Sequence, residues 1–264
     1  MHPIERLRWI ARTDDEPATS IAGEAAWTLG ELGSKDPAAV LTASRRLVER
    51  QPMCGPLWWV CAHLVASVDP FETARRLSAE LYSDPVPARV ADSLAASFTS
   101  SDLLGATSPV DVLQQALARR GRYRLRLLAE PRALRRDLHL VGSVADEVTG
   151  FEPDEADEAL AAASVLLVEP ELASPDGLLV AEPYAQVVEA AHRRHVPVWA
   201  LLGTGRVLPA ALGERARALA GDRVRLLAPR LLAVAVDETG DGDVARALST
   251  PSCPPGTELT RGAP

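Results

Sequence analysis

Two short apolar segments separated by a helical pattern dominate the second half of the chain. Residues 165–168 and 196–202 are runs of apolar residues, which is typical of strands buried on both faces of a parallel sheet. Between them, a polar loop with Pro175, Asp176 and Gly177 precedes a helical pattern over residues 184–195. A strand, a crossover helix and a second strand predict a βαβ unit.

The first hundred residues have their apolar residues at helical spacing. Helical patterns cover residues 18–32, 38–50, 53–68, 71–81 and 88–96. After Phe98, strands are predicted at 123–128, 138–140 and 231–236, and they alternate with helices at 113–120, 154–163 and 208–220. This order of elements predicts an α/β protein that begins with helices.

Three segments follow from this pattern. Residues 1–100 are predicted to form a helical N-terminal domain, and residues 101–248 a Rossmann-like domain with a parallel sheet and helices on both faces. The Pro-rich segment 249–264 is predicted to be disordered from its composition.

Composition narrows the class of protein. The chain has 264 residues, of which 47% are hydrophobic, and a net charge of −8. The charge argues against unspecific binding to nucleic acid or anionic membranes. No apolar run approaches the roughly 20 residues of a membrane span, and the first residues lack the apolar core of a signal peptide, so we expect a cytoplasmic protein.

The residue types also limit the chemistry. Lys35 is the only lysine, which excludes a Schiff-base or phosphate-binding lysine elsewhere in the chain. The three cysteines form no disulfide framework, and Cys54 and Cys61 are expected to pack as small apolar residues. His192 and His195 have a spacing that can bind metal, but no third ligand is apparent, so neither a metal nor a cofactor is expected.

Polar residues that follow the predicted strands are the first candidates for a site. Ligands of parallel sheets bind beyond the carboxyl ends of the strands, so Glu169 and Glu171 are expected near the turn that contains Gly203, Thr204 and Arg206. The glutamates would act as a general base or bind a hydroxyl, unless they only form a solvated loop end. The turn would bind an anion through its amides, unless it is an ordinary turn.

Hydroxyl and basic residues supply further candidates. Ser100 and Ser101 precede a helical stretch, where they would cap the helix and bind phosphate, or only cap it. Arg132, Arg135 and Arg136 form a basic cluster after the strand at 123–128. The last two arginines are expected on a solvated face.

The region from residue 165 to 203 carries motifs in a fixed order. They are Leu-Leu-Val at 166–168, Glu-Pro-Glu at 169–171, Asp-Gly at 176–177, Ala-Glu-Pro-Tyr-Ala at 181–185 and Val-Pro-Val at 196–198. Their spacing resembles the family that joins the alpha, beta and delta subunits of translation initiation factor 2B to isomerases of methylthioribose-1-phosphate and ribose-1,5-bisphosphate. That family has a strand, Gly-Ala-Asp, an Asn/Asp-Gly turn, Asn-Lys-x-Gly-Thr, a helix and x-(Ile/Val)-Pro.

Other segments agree with the resemblance in their order. Gln-Pro-Met at 51–53 stands where the family often has Arg-Pro-Thr, and Ala-Glu-Pro-Arg at 129–132 stands at a turn with Ser/Glu-x-Arg-Pro. Residues 228–240 are similar to the closing segment of the family. The resemblance implies a helical N-terminal domain, a Rossmann-like domain that dimerises, and a substrate contact by Arg132.

The catalytic positions of the family are changed. Glu171 replaces its Asp, and no cysteine occurs at 96–104, where its Cys is expected and Thr99, Ser100 and Ser101 are found. A serine hydroxyl does not titrate near neutral pH as a thiol does. The Asn-Lys pair is Ala181-Glu182, and Gln51 replaces the arginine of Arg-Pro-Thr.

Together these changes predict a protein that binds a phosphorylated sugar or nucleotide without the isomerase reaction, as a homodimer. Two alternatives remain open. One is an active sugar-phosphate isomerase that uses Glu171 with a hydroxyl from residues 99–101. The other is a scaffold or regulatory assembly subunit without a ligand.

Overall fold

The computed structural model describes residues 3–13, 16–119 and 123–261. Its first part is helical, with α1 Pro3–Ile10, α2 Ala18–Gly33, α3 Pro37–Arg50, α4 Gly55–Val65, α5 Pro70–Tyr82 and α6 Val86–Ser97. Local capping explains two of the helix starts: Asp36 accepts the N–H of Ala39, and Asp69 accepts that of Glu72. α2 packs against α1, α3, α4 and α5, so these helices enclose one core.

A seven-stranded sheet forms the second part. Its strands are β1 Leu103–Thr107, β2 Arg124–Leu128, β3 Glu147–Phe151, β4 Val165–Val168, β7 Val198–Leu201, β9 Val234–Asp237 and β10 Gly240–Gly242. Their order is β10-β9-β7-β4-β1-β2-β3, and only β10 is antiparallel to its neighbour. The accompanying helices are α7 Asp111–Arg119, α8 Pro131–Gly142, α9 Ala156–Ala159, α10 Glu182–Arg193, α11 Ala210–Ala220 and α12 Val244–Ser249. The predicted fold class is confirmed.

The predicted βαβ unit is present as β4, α10 and β7. Leu166 of β4 lies opposite Val198 of β7 in a parallel pair. All residues of both strands are buried, as their continuous apolar runs indicate. No helix among the described residues is both long and apolar enough to cross a bilayer.

The segment predicted as a polar loop is a hairpin. β5 Leu172–Ser174 and β6 Gly177–Ala181 are antiparallel, and β6 also pairs with β8 Val224–Leu227. Only glycine fits at Gly177, because its φ is +140° and a Cβ would lie 2.1 Å from the carbonyl oxygen of Leu227. Leu172 and Leu179 pack into the core of the N-terminal helices, whereas Ala173 packs against the α/β core. This small sheet therefore joins the two parts of the molecule.

Helix α6 belongs with the large sheet in its packing. Its residues Val86, Val90 and Leu94 share a core with β1, β2 and α7. The predicted boundary at residue 100 therefore falls between α6 and the sheet that this helix covers. Strands β1, β3 and β8 have no counterpart among the predicted elements.

Two predictions from local composition are wrong. Residues 138–140 are not a strand but part of the amphipathic helix α8, in which Leu134, Leu138 and Val141 face the sheet core. Residues 249–261 of the segment predicted to be disordered pack against the fold and include the helix α13 Thr257–Thr260. Cys253 and Leu259 are buried in the core of the N-terminal helices, which holds this segment in place despite its prolines.

Candidate ligand-binding cavity

A cavity of about 850 Å³ lies at the carboxyl edge of the large sheet. Ser108 follows β1, Glu130 follows β2 and Glu171 follows β4, and all three line the cavity. Residues of the N-terminal part line the other side of the cavity. They are Thr13, Glu16, Pro17, Ala18, Ile21, Gln51, Met53 and Cys54. This is the position at which parallel sheets bind their ligands. We call this space the sheet-edge cavity.

One wall of the sheet-edge cavity is basic because α8 begins there. Arg132, Arg135, Arg136 and His139 line it, at spacings of three and four residues that place them on one face of the helix. The first amides and the dipole of α8 add positive potential on the same side. Arg135 and Arg136 therefore lie at the cavity and not on a remote solvated face. Such a wall is suited to bind phosphate.

Glu171 contributes a carboxyl group to the same cavity. Its Oε2 is buried and has no hydrogen-bond partner among the described residues. Burial raises the pKa of Glu171 to about 7, although its own amide, the charge of Arg206 and the amide of Ala181 oppose this shift. A carboxyl group that titrates near neutral pH can exchange a proton with a bound ligand.

Two hydroxyl groups stand beside this carboxyl group in the cavity lining. The Oη of Tyr184 accepts the N–H of Glu130 at 3.4 Å and forms a hydrogen bond with the side chain of Ser108. Burial raises the pKa of Tyr184 to about 12, so the phenol stays protonated at neutral pH. Neither hydroxyl was predicted, because Ser108 follows an unpredicted strand and Tyr184 was placed only in a helix.

A buried ion pair holds the segment that carries Glu171. Nη2 of Arg206 lies 2.8 Å from Oε1 of Glu169, and Nη1 of Arg206 donates to the carbonyl of Pro170. Oε2 of Glu169 accepts the N–H of Val112 at 3.0 Å, in the first turn of α7. Arg206 and Glu169 therefore fix residues 169–171 against α7 and position Glu171.

The protonation of Glu169 reflects competing effects. Burial raises its pKa, whereas the charge of Arg206 and the amides of Val112 and Leu113 lower it. Every partner of its two oxygens is an N–H donor, which favours the ionised carboxylate paired with Arg206.

The turn after β7 binds an anionic group, but that group belongs to the protein. The N–H of Thr204 donates to Oδ2 of Asp84 at 3.0 Å, and the same oxygen lies 3.1 Å from where a Cβ of Gly203 would stand. Gly203 and Thr204 do not line the sheet-edge cavity, whereas Arg206 does. The predicted anion position is therefore taken by Asp84, and α11 begins only at Ala210.

Ser100 and Ser101 lie at the wrong end of the sheet for the predicted site. They precede β1, at its amino end, whereas the cavity lies beyond its carboxyl end. The Oγ of Ser101 bonds to Thr99, whose N–H and hydroxyl donate to Asp102. This local turn replaces the predicted helix cap, because a strand and not a helix follows it.

Two further positions at which the sequence differs from the family motifs are Glu182 and Gln51. Oε2 of Glu182 forms an ion pair with Nε of Arg225 in β8 at 3.3 Å. Glu182 does not line the cavity, so its negative charge does not lie beside the arginines of α8. Gln51 lines the cavity, but its Nε2 donates to the carbonyls of Thr13 and Ile10. Within the described parts of the chain, no cluster of three or more His, Cys, Asp or Glu side chains suits a metal ion.

Comparison with solved structures connects this architecture to known proteins. Translation initiation factor eIF-2B from Pyrococcus horikoshii OT3 superposes with a TM-score of 0.73 over 94% of this chain and 98% of its own, at 15% identity. The chain has the fold of the eIF2B subunits. A tetrameric eIF2B-beta2-delta2 complex from Chaetomium thermophilum gives a TM-score of 0.70 at 17% identity over 92% of both chains.

The eIF2B-like fold is also seen in the comparison with eIF2B beta from Chaetomium thermophilum. Its TM-score is 0.67 at 15% identity, and it covers 99% of this chain and 93% of that one. No protein-family model matches the sequence, and no curated protein matches it either. The likeness therefore lies in the fold, and the side chains of the cavity have to be interpreted on their own chemistry.

Proposed function

We propose that this chain is a divergent member of the initiation factor 2B and sugar-phosphate isomerase family that binds a phosphorylated sugar or nucleotide in the sheet-edge cavity. The observation that carries the proposal is the basic face of α8, with Arg132 and Arg135, in the same cavity as the carboxyl group of Glu171. Guanidinium groups at a helix N-terminus suit a phosphate. Carboxyl and hydroxyl groups on the other side suit the hydroxyls of a sugar.

Loss of the isomerase reaction is part of this proposal. The family uses a Cys with an Asp, and here the hydroxyl of Ser108 and the longer side chain of Glu171 line the cavity together with Asp111 and Glu130. Cys54 also lines the cavity, but burial raises the pKa of its thiol to about 11, which leaves little thiolate at neutral pH. Proton transfer between two carbons needs two groups at hydrogen-bond distance, so this set favours binding.

A thermal-shift experiment tests the binding function. Ribose-1-phosphate, ribose-1,5-bisphosphate, methylthioribose-1-phosphate and nucleoside monophosphates are compared with ribose, and only phosphorylated compounds should raise the Tm. Arg135→Ala should weaken binding by about tenfold or more, because it removes a charged hydrogen-bond donor. Arg89→Ala is the matched control, since Arg89 is an exposed arginine of α6 outside the cavity. Equal shifts for both variants would contradict the proposal.

An active isomerase is the second candidate, and one observation favours it. The unpaired, buried Oε2 of Glu171 and its pKa of about 7 are the properties of a general base. Turnover of a sugar phosphate that disappears in Glu171→Gln, with the ligand-induced Tm shift retained, would establish this activity in place of pure binding.

A scaffold without a ligand is the third possibility. One of the structural neighbours is a tetrameric complex of eIF2B subunits, and we infer that this chain assembles into a homodimer through its α/β part. A stable oligomer in sedimentation, together with no Tm shift for any phosphorylated compound, would favour the scaffold.

A further inference from the structure

A second concave site lies between helices α1 and α3. This α1–α3 groove has a volume of about 460 Å³. Its apolar floor includes Leu7 of α1, Leu32 of α2, and Ala43 and Leu47 of α3. Leu7 and Leu47 are buried, and Leu32 and Ala43 are half-buried. The groove shares no lining residue with the sheet-edge cavity, so it is a separate site.

Four arginines line the groove, two from each of its sides. Arg8 and Arg12 come from α1 and the turn after it, and Arg46 and Arg50 come from α3. All four are exposed. Arg8 pairs with Glu5 at 2.6 Å, and the other three make no ion pair with a described residue. No Asp or Glu is among the described residues of the lining, although the whole chain carries a net charge of −8.

The arrangement of these charges defines the shape of a ligand. Arg46 and Arg50 are four residues apart in α3 and therefore lie on one face of that helix, and Arg8 of α1 and Arg12 of the turn after it line the same groove. Positive charge therefore stands on both helices, with the apolar floor between them. A complementary ligand needs an apolar strip with negative charge along both edges. An amphipathic acidic helix has this form, whereas a lipid anion carries its charge at one end.

We propose that the α1–α3 groove binds an acidic amphipathic helix of a partner protein. The apolar face of that helix packs on Leu7, Leu32 and Leu47, and its carboxylates pair with the arginines on both sides. α1 has 8 residues and is therefore about 12 Å long, which matches two turns of a bound helix. Apolar anchors at i, i+3, i+4 and i+7 of the partner helix cover that length.

Fluorescence anisotropy with a labelled helical peptide of about 15 residues tests this proposal. The peptide carries Leu at i, i+3, i+4 and i+7 and Glu at the flanking positions, and its control has Lys in place of every Glu. Binding of the Glu peptide but not the Lys peptide is expected, and it should weaken as salt is raised from about 50 to about 200 mM. Failure of the Glu peptide to bind the wild-type chain overturns the proposal.

Charge reversal locates the binding. The double variant Arg12→Glu with Arg46→Glu should weaken binding of the Glu peptide by at least about tenfold. Its Tm should stay unchanged, because both side chains are exposed. The matched control is Arg89→Glu with Arg119→Glu, which changes the net charge equally on exposed helix positions outside the groove. Equal affinity of both double variants overturns the proposal. A dimer that only the groove variant dissociates would assign the groove to a second copy and also overturn it.

Discussion

The stability of the native state should depend on pH through Glu171, and a single substitution isolates this effect. The native pKa of Glu171 is about 7, against an ordinary value of 4.5, because the carboxyl group is buried. The native state therefore holds this proton more tightly than the unfolded state does. Its contribution to stability is complete below about pH 4.5 and is lost as the pH rises towards 7. At 1.36 kcal/mol per unit of pKa, the loss is about 3 kcal/mol.

Glu171→Gln removes the titrating group and keeps the shape of the side chain. Denaturant unfolding followed by tryptophan fluorescence, at several values between pH 5 and pH 8, gives the free energy of unfolding of both proteins. The wild-type chain should lose about 2–3 kcal/mol relative to the variant over this range. Glu158→Gln, at an exposed position of α9, should run parallel to the wild type. Parallel profiles of wild type and Glu171→Gln would refute the raised pKa of this carboxyl group.

Two further substitutions test how the cavity segment is held. Arg206→Met should lower the free energy of unfolding by about 3–5 kcal/mol, because it leaves the carboxylate of Glu169 buried without its ion partner. The double variant that also carries Glu169→Gln should recover part of this loss. Equal stability of the single and double variants would contradict the ion pair. Gly205→Ala should cost about 1–2 kcal/mol in denaturant unfolding, because its φ is +78° and the new Cβ would lie 3.1 Å from Cα of Pro56. An unchanged denaturation midpoint would contradict this and show that the backbone of the turn adjusts to the new Cβ.

Local patterns were sufficient for the central elements of the fold. The apolar runs of β4 and β7 report burial on both faces, and proline with a capping aspartate marks the starts of α3 and α5. Parallel strands end at the same edge of a sheet, so the predicted position of Glu171 needed only the order of the elements. Short strands such as β1 and β3 were missed because each has only five residues and contains a glycine, which leaves no clear run or alternation.

The residues that complete the site were decided by contacts far apart in the chain. Asp84 takes the amide of Thr204, 120 residues away, and no local pattern at either position indicates this bond. Arg135 reaches the cavity only because α8 follows a strand at the carboxyl edge, which makes its hydrophilic face the wall of a site.

By itself, the sequence determined which segments are buried, where several helices begin and which carboxylate follows the central strand, since each depends on neighbours within a few residues. Only the tertiary structure decided what faces the sheet-edge cavity and the α1–α3 groove. A side chain becomes part of a wall through the packing of distant elements, and the periodicity of one segment carries no information about its partner. For that reason Ser100 and Ser101 were assigned to the wrong edge of the sheet, while Ser108 and Tyr184 were missed.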